Sequence, residues 1–128
     1  MSAMSNYLEN EILDHILGTG AYTMPSAVYV GLSTGSFGDD NSGTELSGSG
    51  YARVAATFNA AASGTADNAS AIQFSAATGS WGTVSHFGIF DASTGGNQLI
   101  HGAFTTSKTI ASGDILKIDA GDLDISAD

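Results

Sequence analysis

Seventeen of the 128 residues are glycine and only one is proline. The glycines gather in punctuating clusters such as Gly48-Ser49-Gly50 and Gly95-Gly96, with Gly113 and Gly121 further on, and aromatic and β-branched residues recur between them. This is the spacing of many short strands joined by tight turns, not of a disordered chain. The length points to one domain spanning residues 1–128. A domain of this size buries a single core with little surplus stability.

One segment departs from the strand pattern. From Asn6 to Leu17, apolar residues return every four positions at Leu8, Ile12 and Ile16, with Leu13 and Leu17 widening the stripe. Asn6 followed three residues later by Glu9 reads as a capping box, and Gly18 and Gly20 end the helix. About three turns do not persist alone in water, so the stripe needs a surface to dock on, in this chain or in a neighbour.

After Pro25, Val28, Val30 and Leu32 alternate with Tyr29, Gly31 and Ser33 as a half-buried strand. Residues 34–50 form a long polar loop, read as a contact arm in which Phe37 and Leu46 are apolar plugs for a neighbour's pockets. Tyr51 to Phe58 reads as a strand and Asn59 to Ser70 as a connector. Ile72 and Phe74 mark a short strand, and Val84 to Phe90, apolar on both faces, a central one. Gly95-Gly96-Asn97 turns the chain into a partner strand from Gln98 to Phe104. Ile110, Ile115 to Ile118 and Leu123 to Ile125 close the set. The expected fold is mainly β: an antiparallel β-sandwich or jelly-roll-like barrel with one N-terminal helix.

Charge narrows the partners. Thirteen acidic residues stand against three basic ones, a formal net charge of −10. Arg53, Lys108 and Lys117 are too few and too scattered to displace counterions from nucleic acid or to hold an anionic membrane. No run approaches the ~18 apolar residues of a spanning helix, and the first residues lack the basic start and apolar stretch of a secretory signal. No cysteine is present, so disulfides, thiolate metal sites and thiol nucleophiles are excluded.

Chemistry-bearing patterns are absent. His15, His86 and His101 lack the clustered spacing of a zinc site, although the last two could face each other across a ladder. Asp39-Asp40-Asn41 falls short of a calcium loop, and the late aspartates suit solvated turns. There is no G-x-S-x-G elbow, and Gly48-Ser49-Gly50 lacks the lysine of a phosphate loop. No catalytic residue, metal or cofactor is expected. Arg53, the sole arginine, is expected to pair with an acid, Glu45 being the nearest candidate, and to pin the long loop or a subunit contact. Trp81 is expected to anchor a core or an interface.

Three runs carry a resemblance: Ser49-Gly50-Tyr51-Ala52-Arg53-Val54, the run from Trp81 through Gly88-Ile89-Phe90 to Asp91, and Gly95-Gly96-Asn97-Gln98-Leu99. With the N-terminal helix, the strand from Val28 to Ser33 and the closing Ala120-Gly121-Asp122-Leu123, they resemble a family of small structural proteins of tailed bacteriophages, commonly labelled tail fibre proteins. The resemblance implies a non-enzymatic virion protein assembled in the host cytoplasm. A capsid decoration (cement) protein that stabilises the head is the first expectation. The alternative is a tail fibre or tail-tip subunit, with a host-receptor or glycan-binding role, whose mark would be an exposed shelf of Tyr22, Tyr29, Tyr51 or Trp81. Implied partners are copies of the chain, a trimer being favoured, and the major capsid protein or tail proteins. Leu8, Ile12, Ile16, Phe37, Leu46, Arg53 and Trp81 are the expected interface or structural anchors.

Overall fold

The computed structural model describes residues 2–127. In chain order the elements are β1 (Ser2–Met4), α1 (Asn6–Leu17), β2 (Val28–Ser33), β3 (Val54–Ala56), β4 (Thr65–Asp67), β5 (Ile72–Gln73), β6 (Gly82–Phe90), β7 (Gln98–Ile110), β8 (Lys117–Ile118) and β9 (Asp124–Ser126). Five strands form an antiparallel sheet in the order β1-β7-β6-β2-β3, and two ribbons, β4-β9 and β5-β8, stand apart from it. The ribbons lie near the two sheet edges, β9 against β1 and β5 against β3. The arrangement is sandwich-like, and the strands do not hydrogen-bond into a closed barrel.

Register explains which residues are buried. Val30 sits opposite Ile89 and Leu32 opposite Phe87, so alternate residues of β2 and β6 share one face. That face and the ribbons enclose the main core, in which Val30 and Leu32 are fully buried among Phe74, Trp81, Val84, Phe87, Ile118 and Leu123. The other face of β6 is covered as well. Phe90 meets Phe37 of the long loop edge-on, with ring centroids 5.6 Å apart. The two-sided apolar pattern of Val84 to Phe90 therefore reflects a centre strand covered on both faces.

Several local expectations change. The helix runs over Asn6–Leu17, but its N-cap is Ser5, not Asn6: the Ser5 hydroxyl accepts from the Leu8 amide at 3.2 Å and donates to the Gln98 carbonyl. Serine is the shorter cap and also reaches β7, so one side chain closes the helix and docks it. β1 and β4 arise in stretches with no strand pattern of their own, β4 inside the expected connector. The regular strand within Tyr51 to Phe58 contracts to Val54–Ala56. Conversely, β7 does not stop at Phe104 but continues to Ile110. A register shift opposite Val84 and His86 lets the extra residues bulge out of the ladder.

The ribbons are tied together by a buried side chain that periodicity could not reveal. Asn68 is fully buried; its amide nitrogen donates to the carbonyls of Ser70 at 2.9 Å and Asp119 at 3.0 Å, and its oxygen accepts from the Leu123 amide at 2.9 Å. Truncation would strand these backbone groups in a dry site. Asn68→Ala is expected to cost about 1–3 kcal/mol for each group left unsatisfied, read as a lowered urea midpoint at unchanged slope; a variant with the parent midpoint would show that the amide does not hold the ribbons.

Candidate functional site

The chain's one guanidinium organises the surface around the long loop. Arg53 approaches Glu45 as a two-pronged fork, Nε to Oε2 at 2.9 Å and Nη2 to Oε1 at 2.8 Å. Its remaining nitrogen, Nη1, donates to the carbonyls of Ala92 at 2.8 Å and Gly95 at 2.9 Å in the β6–β7 turn. The guanidinium lies 3.6 Å from the centre of the Phe90 ring. The Arg53 side chain is only 8% exposed and that of Glu45 24%. One side chain thus joins the loop, the residues before β3 and the turn between the two longest strands.

Two glycines make room for this junction. Gly31 and Gly88 face each other across β2 and β6. A β-carbon on Gly31 would come 2.8 Å from the Glu45 carboxylate and 2.9 Å from the Phe90 ring, and one on Gly88 would come 2.8 Å from the same ring. Only a bare backbone pair lets the ring lie flat on the sheet. Tyr51 completes the group: its hydroxyl donates to Glu45 Oε2 and accepts from the Leu32 amide at 2.9 Å. Burial, reinforced by the Glu45 carboxylate, pushes the Tyr51 phenol well above its ordinary value of 10.0.

The expected anchors fall into separate places. Phe37 is buried at 1% exposure and Leu46 packs against the main core, so both plugs fill their own domain in place of a neighbour's pocket. The loop has no strand of its own, yet it is fastened along its length: the Leu46 amide to the Leu32 carbonyl, the Ser33 hydroxyl to the Thr44 carbonyl, the Gln98 side chain to the Gly38 carbonyl. Trp81 is buried edge-on to Tyr51, and its indole donates to the Ser49 carbonyl at 2.9 Å. On the helix, Leu8 is buried and Ile12 half-buried, whereas Ile16 is 70% exposed. Leu13 and Leu17 are also open to solvent.

The histidines and Asp40 take no part in this junction. His101 pairs with Asp39 Oδ1 at 2.6 Å, while His86 meets Ser85 and sits opposite Ala103, so the two histidines are not directly paired across the ladder. Asp40 accepts from the Ser42 amide in a local turn, and its hydrogen bonds with Ser42 hold its carboxyl below the usual value. No group of three metal-ligating side chains forms among the described residues. Glu45 was legible as Arg53's partner from charge alone. The roles of Tyr51, Phe90 and the Gly31–Gly88 pair depend on cross-strand register, which sequence spacing did not reveal.

A family described as Podophage GP4 fiber I protein gp80 matches residues 3–126. None of the curated proteins matches the chain.

Two outcomes test the junction. Arg53→Ala would leave Glu45 and two carbonyls without their donor, and a loss of about 3–5 kcal/mol is expected if the pair behaves as buried, against under ~1 for a surface pair; unchanged thermal stability would show that the fork is ornamental to the fold. The raised Tyr51 value has a sign that pH can read. The neutral phenol is the form favoured by folding, so its contribution is complete below pH 10.0 and is lost as pH rises through the higher folded value. The melting temperature should therefore fall as pH rises above 10.0, and fall less in Tyr51→Phe; parallel alkaline profiles would remove Tyr51 as the cause.

Proposed function

We propose that this chain, which belongs to the Podophage GP4 fiber I protein gp80 family, is a subunit of a tail fibre that acts by assembling with copies of itself. It is a non-enzymatic structural protein of the phage virion. The family's description is the observation that carries the fibre reading, and it reverses the order of the sequence expectation, which put capsid decoration first. The fold is in keeping with a building block: the long loop is fastened to its own domain by Phe37, Glu45 and Leu46, giving a braced body.

The aromatic side chains argue against a receptor-binding shelf. Trp81 and Tyr51 are taken up by the core and by hydrogen bonds, and Tyr22 and Tyr29 are half-buried. A glycan platform needs aromatic faces open to a sugar, and these four do not form one. Assembly has the better support, because α1 leaves Leu13, Ile16 and Leu17 exposed. Cyclic symmetry is the common closure for identical subunits, and a trimer is the proposed form.

Whole-particle reconstruction tests the placement. Density for this chain is expected in the tail fibres; density on the head lattice alone would replace the fibre reading with the decoration one.

A further inference from the structure

The exposed apolar face of α1 has a counterpart elsewhere on the same molecule. Leu13 is 55%, Ile16 70% and Leu17 72% exposed; the exposed acid Glu9 lies one turn from Leu13, and Asp14 one turn from Leu17. Away from α1, none of whose residues line it, a small groove of about 50 Å³ is lined by Val84, Phe104, Leu116 and Ile118 and flanked by Lys108 and Lys117. That volume takes the tip of one aliphatic side chain. With Arg53 sequestered in its fork, Lys108 and Lys117 are the chain's other two Lys or Arg side chains, and both border this groove; Lys117 also meets Asp119 at 3.5 Å in an open surface pair that a second acid can share or displace.

The start of α1 and the groove stand at opposite ends of β6. Ser5, at the start of α1, is bonded to Gln98 and Leu99, next to Phe90, while Lys108 pairs with Val84. The strand from Val84 to Phe90 covers about 20 Å at ~3.3 Å per residue. The helix is anchored away from the groove, and no α1 residue lines it, so the groove is open to the helix of another copy.

We propose that the groove receives the α1 face of a second copy of this chain, head to tail, with Ile16 or Leu17 entering it and Glu9 and Asp14 meeting Lys108 and Lys117. Such a contact joins two different patches, so it closes into a ring or continues as a filament. It rests on the self-assembly reading above and supplies the contact for it. Charge complementarity selects the occupant: in so acidic a chain, this is where an acid-bordered helix meets cations rather than like charge.

Two double variants test it by sedimentation, with circular dichroism as the folding control. One carries Ile16→Asp and Leu17→Asp, the other Lys108→Glu and Lys117→Glu; all four positions are exposed, so both are expected to fold. Each alone should be monomeric. Mixed, they should give a one-to-one pair that grows no further, because only one intact helix and one intact groove remain. Adding Glu9→Lys and Asp14→Lys to the lysine variant should restore self-association. If the parent assembles and the lysine variant still does so equally well, the helix pairs with something other than the groove: the contact is wrong and the assembly reading stands. A parent that stays monomeric at tens of micromolar overturns both.

Discussion

Arg53 carries a charge into a place where water cannot solvate it, and the structure around it is the answer to that requirement. Glu45 supplies the opposite charge, Ala92 and Gly95 supply carbonyls, and Phe90 offers its ring face. They come from two separate parts of the chain, the long loop and the end of β6 with the turn that follows it. The loop is placed by Glu45, the hairpin turn by its two carbonyls, and the ring by the cleared backbone of Gly31 and Gly88. A buried pair of this kind is not a strong source of net stability, since apolar residues of equal volume often do as well. Its effect is to define one arrangement: misplacing a contributor leaves the nearly buried guanidinium short of a partner. That constraint accounts for a seventeen-residue loop (34–50) holding a fixed path with no regular structure of its own.

Local physics determined how much could be read in advance. The bounds of α1 were legible because its apolar period and its terminating glycine are both written within a few residues. β2 and β6 were legible because alternation in the first and two-sided burial in the second are visible along each strand. β1 and β4 were not: Ser2-Ala3-Met4 and Thr65-Ala66-Asp67 have no pattern, and they are strands only because β7 and β9 present them with an edge. The far half of β7 was hidden for a related reason, its run of threonine, serine and lysine being mostly exposed. The Arg53–Glu45 pair was foreseeable from scarcity, one guanidinium among many acids. The burial of Phe37 was not, since an apolar residue in a polar loop looks alike whether its pocket is near or foreign.

The distribution of charge gives the molecule a direction. Arg53 is consumed internally, and the two lysines, one of them beside Asp119, border one groove at the Val84 end of β6. The helix end carries acids and open aliphatic side chains. A body with unlike ends and a braced middle is suited to repetition, in keeping with a family of fibre proteins.

The placement of β1 also has a consequence in time. Ser2 precedes its ladder partner Gly102 by a hundred positions, and its hydroxyl bonds to Ser126, 124 positions away. At roughly 5–20 residues per second, the leading strand has no native partner for several seconds of synthesis. The centre of the sheet cannot form early either, because β2 must wait for β6. The nascent chain therefore carries unpaired strand edges until β7 and β9 have been made. Folding is then a late, concerted event in which long-range closure precedes any large gain from packing. Such a protein is expected to depend on protection of its early segments far more during synthesis than after it.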